Sequence, residues 1–330
     1  MPRESSTCAE SPSDADVYNY AHRAFLQAFL SQSVMTVDEI KPVLAAVLTA
    51  HDPTRPSLEG DITQPLITST VQAINAKIGA LDYEIRSARD QTSKTLTYAL
   101  VNTTSDALTQ LATSFTPDEI SYVKRLLDYM FETNNTRIRE IMAVSTMETT
   151  QIARPPPRSR QSQAQTQIEA DGDEPTQVQV RDPGLKMQEA EDVLNTLVAQ
   201  GFFHCSRAGY YSLAPRALME LRAYLKETYN EPPADDDPED EGITRIHDCE
   251  GCREIVTVGV RCSDRDCGVR WHDRCAIQYF RGPRGDTKKC PTCKTGWTGD
   301  LFVGERAANT QRRSTGGRNS RRNEEDYEDE

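Results

Sequence analysis

Of the nine cysteines in the chain, seven fall between Cys249 and Cys293, with His272 among them. Their order is C-x2-C-x9-C-x4-C-x4-H-x2-C-x14-C-x2-C. Cysteines in a reducing compartment are not disulfides by default, and clustering of this kind points to metal. Zinc has no geometric demand of its own and takes four thiolate or imidazole ligands in a tetrahedron. A two-residue gap turns two ligands back onto one ion, so eight ligands make two closed sites. The expected wiring is interleaved. Cys249, Cys252, His272 and Cys275 hold one zinc, and Cys262, Cys267, Cys290 and Cys293 hold the other. A segment this short and poor in aliphatics cannot build its own core, so metal binding supplies the folding free energy. No position is left open for water, which makes both Zn2+ ions structural rather than catalytic. A metal-free set of buried cysteines is the weaker reading.

This ligand order occurs in RING-like ubiquitin-ligase domains and in PHD fingers that read histone tails. A PHD finger usually carries tryptophan two residues before the last cysteine pair, and here that residue is Lys288. The proline of Cys290-Pro291-Thr292-Cys293 is common in RING domains, where it helps form the docking surface for a conjugating enzyme. Lys294 stands where many RING ligases carry a cation that contacts ubiquitin. Gly251 fills the place where strong ligases put a branched aliphatic. A weak or partner-dependent ligase therefore fits better than a vigorous one.

The remainder of the chain reads as α+β with several domains. Residues 1–15 have a disordered composition. Residues 16–149 are expected to form a winged helix. One helix carries Tyr18, His22, Phe25 and Phe29, and a second opens on the capping box Thr36-Val37-Asp38-Glu39. Pro42 is awkward in that second helix and is expected to bend or delay it. A third helix carries Ile67, Val71, Ile74, Ile78 and Leu81, after which the period changes to two over Tyr83–Ile85 and Leu96–Leu100, the signature of a hairpin wing. Two more helices are expected, one around Ala107–Ala112 and one opened by Thr116-Pro117-Asp118-Glu119. Residues 150–182, with three successive prolines and seven glutamines, read as a solvated linker. Residues 183–230 resemble the back half of a second winged helix. It has one helix capped by Gly201, a hairpin turning at Ala208-Gly209, and a helix from Pro215 through Leu225. Residues 231–243 are an acidic hinge, 244–303 the zinc domain, and 304–330 a disordered tail, basic and then acidic.

Lysine plus arginine number 38 against 51 aspartates and glutamates, a net charge of −13. Residues 16–149 alone carry 11 basic and 16 acidic residues. Without a basic stripe, winged helices that bind protein are favoured over ones that bind DNA. Direct DNA contact is left open for the arginine-rich tail, which reads equally as an import signal or a solvated segment. The sequence has no apolar run long enough for a membrane span and no secretory leader, so a soluble intracellular chain is expected.

The segment Cys249–Trp297 resembles the RING-like domain of the non-structural maintenance of chromosomes element one family, subunits of the SMC five–six chromosome complex. The resemblance rests on Trp271-His272-Asp273-Arg274-Cys275, then Tyr279-Phe280, the Cys-Pro-x-Cys pair and Trp297. It extends to Tyr98-Ala99-Leu100-Val101-Asn102 and to the helix–Gly201–hairpin–helix order, so it spans most of residues 16–303. Cys262 and Cys267 lie four residues apart, which lengthens that loop without removing a ligand. The resemblance implies a RING-type E3 ubiquitin ligase in DNA repair, nuclear and chromatin-associated. Its implied partners are a MAGE-type subunit (element three), a kleisin-like subunit (element four) and a ubiquitin-conjugating enzyme. It implies conjugating-enzyme docking at Gly251, Pro291 and Lys294, and no catalytic nucleophile in this chain. The alternatives are a structural adaptor whose zinc module only stabilises a complex, and a histone-tail reader, which Lys288 disfavours.

Overall fold

The structure, a computed structural model, describes residues 18–103, 114–155, 184–232, 242–282 and 288–308. The expectations for residues 1–15 and for a helix at Ala107–Ala112 lie outside the described residues. So do those for most of the 150–182 linker, the acidic run 235–241 and the tail beyond Ala308. The described residues form two compact bodies, one of residues 18–103 together with Ala214–Leu221, the other of the remaining described residues.

In the first body, α1 (Tyr20–Ser31) is followed by β1 (Val34–Thr36), α2 (Val37–His51) and α3 (Gln64–Ile78). The wing is β2 (Tyr83–Arg89) paired with β3 (Leu96–Asn102). The sheet is antiparallel in the order β1-β3-β2, with Val34 opposite Ala99 and Ile85 opposite Leu100. This is the element order of a winged helix. Each start has a local cause. Asn19 accepts from the Ala21 and His22 amides, and Thr36 and Glu39 exchange the two bonds of a capping box. Pro42 does not delay α2, which begins at Val37. It lies in the second turn on the solvent-exposed side, where the ring meets no packed neighbour and the one lost helix bond is that to the Asp38 carbonyl. The apolar faces of the three helices close on one core of Phe25, Phe29, Ile40, Leu44, Ile67 and Ile74, with Met35, Ile85 and Tyr98 from the sheet.

The second body repeats that order. It runs α4 (Pro117–Asp128), β4 (Val144–Ser145), α5 (Thr146–Ile152), α6 (Met187–Ala199), β5 (Phe203–Cys205) and β6 (Tyr210–Leu213), with a sheet β4-β6-β5. Ser145 and Glu148 cap α5 as Thr36 and Glu39 cap α2. The boundary expected at residue 149 is therefore displaced. Val144 pairs with Tyr211 and Ser145 with Tyr210, so residues 117–152 supply the front half of the second unit. Helix α5 also enters the expected linker, burying Ile152 and Ala153. Gly201 takes φ +72° after α6, the left-handed cap that glycine adopts without strain.

The single helix expected from Pro215 through Leu225 is broken at Leu221. The first piece, α7 (Pro215–Glu220), packs on the β2–β3 wing of the first body, and α8 (Arg222–Tyr229) stays with the second. The ends of the acidic hinge are pinned, since Glu231 and Ile243 exchange backbone bonds of 2.8 and 2.9 Å. The zinc module follows as β7 (Gly259–Arg261), β8 (Arg270–Trp271), α9 (Asp273–Tyr279) and β9 (Phe302–Val303), in a sheet of order β8-β7-β9. Residues 304–308 are not tail. Arg306 lies over the Phe302 ring and donates to Asp273 at the start of α9. Among the described residues, no helix is long and apolar enough to cross a membrane.

Candidate metal centre

Two hairpin knuckles and one short helix bring the ligands together. In the first knuckle the Arg253 amide donates to the Cys249 carbonyl and the Cys249 amide to the Glu254 carbonyl, at 2.9 and 2.8 Å. In the second, Lys294 donates to Cys290 and Cys290 to Thr295, at 3.2 and 2.9 Å. The same residue in each turn, Arg253 and Lys294, takes φ +61°. The wing turn at Asp90–Thr95 has this geometry too, with Lys94 at φ +65°. A Cys-x-x-Cys pair on such a turn presents both sulfurs to one point. His272 caps α9 and Cys275 lies in its first turn, so the helix start delivers the other two ligands of the first site.

The structure brings together the two expected sets. Cys249, Cys252, His272 and Cys275 place their ligand atoms within 4.8 Å of one another, and Cys262, Cys267, Cys290 and Cys293 do the same. In the first set the Cys252 Sγ lies 3.2 Å from His272 Nδ1, while His272 Nε2 lies 3.2 Å from the Ile255 carbonyl. A proton donated from Nε2 to that carbonyl leaves the Nδ1 lone pair facing the sulfurs, as metal ligation needs. In the second set Cys262 lies 3.4 Å from Cys293 and Cys267 lies 3.6 Å from Cys290.

The electrostatics fit a dication in each set. Burial works to raise the Cys249 thiol, yet hydrogen bonds from His272, Cys252 and Gly251 hold it at about 6. Burial, then the neighbouring Cys249 and Cys252 charges, push Cys275 up to about 12. In the second set the hydroxyl and amide of Thr295 hold Cys293 at about 6, while burial drives Cys262 and Cys267 up. Several thiols packed this closely cannot ionise together without a cation between them. Soft donors, four to a site and none left open, select zinc in a structural role. The protein carries two such zinc sites.

Around them, the aromatic residues singled out in the sequence form one ring cluster, in which Trp271 and Phe280 are buried. Trp271 contacts Tyr279 at 4.6 Å between ring centroids, and Phe280 stacks on Trp297 at 4.9 Å. Gly251 abuts this cluster. A Cβ added there would lie 3.0 Å from Trp271 Cζ3 and 3.1 Å from Cys275 Cβ, inside ordinary contact distance. Pro291 is half-buried, and exposed Lys294 folds its ammonium back onto the Pro291 carbonyl. Ile277 and Tyr279 project from α9 with 67% and 49% exposure. The sequence reading missed three charged residues beside the sites, Glu140, Arg261 and Arg270, all buried. The one available signal was a pair of arginines, each just ahead of a ligand-bearing segment.

A closed double-zinc module with interleaved ligands, in an α+β chain whose two upstream segments run in winged-helix order, defines a RING-like zinc protein. The family described as the Nse1 non-SMC component of the SMC5-6 complex matches residues 22–221, and a RING-like domain matches residues 249–293. The chain belongs to the Nse1 family. It is 21% identical to the non-structural maintenance of chromosomes element 1 homolog of Xenopus laevis over 87% of this chain and 86% of that one. Against the Homo sapiens homolog it is 21% identical over 85% of each. Against element 1 of Schizosaccharomyces pombe it is 21% identical over 72% of this chain and 80% of the relative. Among solved structures it resembles a chain of an Nse1-Nse3-Nse4 complex, with a TM-score of 0.60 and 20% identity, covering 85% of this chain and 97% of that one.

Proposed function

We propose that this chain is the RING-bearing subunit of an SMC five–six type complex and acts there as an E3 ubiquitin ligase in DNA repair and recombination. The observation that carries the reading is the pair of interleaved zinc clusters, with all eight ligands closed. Zinc ligation by Cys249, Cys252, His272 and Cys275, and by Cys262, Cys267, Cys290 and Cys293, is part of it. Zinc supplies folding energy here and no reacting group. A RING performs no covalent step. It holds a ubiquitin-charged conjugating enzyme in the conformer where a substrate lysine attacks the thioester carbonyl and the enzyme's thiol leaves. Gly251, Pro291 and Lys294 are the docking residues in this reading.

The proposed partners are the MAGE-type subunit (element three) and the kleisin-like subunit (element four), and the proposed location is nuclear chromatin. Family membership and the likeness to a chain of an Nse1-Nse3-Nse4 complex support this. Charge supports protein rather than DNA as the target of the winged helices. Helix α3 has Lys77 as its one charged residue, and α6 has Glu189, Glu191 and Asp192 with no cation.

A second reading, a structural adaptor, is favoured by Gly251, where Trp271 and Cys275 would have to shift to admit the aliphatic side chain a strong ligase uses. The deciding measurement is ubiquitin discharge from a panel of charged conjugating enzymes. It compares the full-length chain alone and with its MAGE-type partner, using Cys249→Ser with Cys252→Ser as control. Discharge that needs the zinc ligands, and falls in Pro291→Ala or Lys294→Ala with zinc content unchanged, supports the ligase. No discharge from a zinc-loaded, partner-bound protein supports the adaptor.

A further inference from the structure

The loop between α4 and β4 does more than connect them. Its ends are held by the Ile141 amide donating to the Asn134 carbonyl and by an antiparallel bridge between Asn135 and Glu140. It meets the zinc module at several places far apart in sequence. Near the module's start, the Asn135 side chain donates to the Arg245 carbonyl at 2.8 Å. At its end, the Gly304 amide donates to the Glu140 carbonyl at 2.7 Å, beside a parallel bridge to Val303. In the middle, the Glu140 carboxylate takes Arg261 Nη1 at 2.7 Å, Arg270 Nε at 2.8 Å and Arg270 Nη2 at 2.5 Å. All three side chains are buried. Further donors of the pair bind backbone, Arg261 Nη2 the Arg137 carbonyl and Arg270 Nη1 those of Cys267 and Val269.

Those two arginines sit at informative positions. Arg261 ends β7 immediately before the ligand Cys262, and Arg270 opens β8 two residues before the ligand His272. One carboxylate from outside the module therefore cross-links the two strands that lead into the two zinc sites. A buried charged cluster is not the most stabilising filling for such a space, since apolar side chains of like volume often serve as well or better. What a bidentate charged clamp adds is fixed geometry.

We propose that the 134–142 loop is a clasp, and that Glu140 is a positioning residue which holds both zinc sites in their closed form. The role is independent of ligase activity, because it is read from zinc itself.

The test is zinc release from the full-length, zinc-loaded chain to a colorimetric chelator. Glu140→Gln keeps the shape but removes the charge and turns one accepting oxygen into an amide donor facing the arginines, and it is expected to release zinc about tenfold faster, the lower end of what loss of an outer-shell partner does. Asp266→Asn, which weakens the exposed pair between Arg137 of the clasp and Asp266 of the zinc module, is expected to change release far less than Glu140→Gln, since a solvent-exposed ion pair contributes little. Where Glu140→Gln fails to fold, Arg261→Gln replaces it, leaving Glu140 balanced by Arg270, and a smaller acceleration is expected. Wild-type release from either folded variant would overturn the proposal. The coupling is reciprocal. Stripping zinc is expected to raise hydrogen exchange at the Ile141 and Gly304 amides, and unchanged exchange there would count equally against it.

Discussion

The two bodies run through the same element order and reach closure by different means. The first draws its sheet and helices from one stretch, residues 20–102, adds α7, and buries a continuous aliphatic and aromatic core. The second has a two-residue first strand and short hairpin strands, and its front and back halves are separated by a long segment. Its closure comes from side chains that reach across the chain. Tyr122 donates to the Thr149 carbonyl, Tyr229 donates to Asp128, and the clasp takes hold of the zinc module. The contrast teaches that element order alone does not make a self-sufficient domain. Where local apolar surface is short, distant polar contacts and metal take over.

The sharpest way to break this comparison is to remove the metal. Chelation, or Cys262→Ser with Cys267→Ser, is expected to abolish hydrogen-exchange protection across residues 244–308. Structural zinc contributes on the order of 10 kcal/mol or more in small modules. Protection in the first body should survive, and its loss would show that the two bodies are one cooperative unit. The reverse experiment is Phe25→Ala. Phe25 is fully buried in the first core, so the substitution is expected to cost about 3–5 kcal/mol. Calorimetry should show the first-body transition moving while the zinc-dependent one stays.

Inside the second body, Gly251→Val forces a side chain against Trp271 and Cys275. Overpacking of this kind costs about 1–3 kcal/mol, and tryptophan fluorescence should report the displaced ring. An unchanged spectrum and melting temperature would mean the site has more slack than the distances show.

The smallest effect is expected at Glu220 in α7, where burial outweighs the pull of Arg216 and raises the carboxyl above its ordinary value. A raised value in the folded state means that the native protein holds this proton more tightly than the unfolded chain does. The resulting stabilisation is full below the unfolded value and is lost as pH rises through the folded one. Glu220→Gln should therefore slightly stabilise the first body at neutral pH and flatten its dependence above the ordinary carboxylate range. A lower melting temperature at pH 7 would show the Arg216 pair to be the larger effect.

Much of this was legible before any coordinates. Zinc chemistry depends on residue type and spacing, so the two ligand sets followed directly from the sequence. Capping boxes are equally local, and Thr36–Glu39 and Thr116–Glu119 both start helices where the pattern placed them. What was illegible depended on distant partners. Val144–Ser145 is too short to show a period of two, and its strand identity comes only from Tyr210 and Tyr211. The break at Leu221 comes from two destinations competing for one helix, with no proline or glycine at the break to announce it. Glu140 gave no local signal, because a buried glutamate is identified by arginines 121 and 130 residues further along.

That last separation has a consequence during synthesis. A ribosome adding roughly 5–20 residues per second needs on the order of 6–26 s after Glu140 emerges before Arg270 follows it. For about the first half of that interval, until Tyr210 and Tyr211 emerge, the front half of the second body has neither its sheet partner nor its charge partners, while the first body is complete in sequence apart from α7. The nascent chain thus exposes α4 and α5 for many seconds.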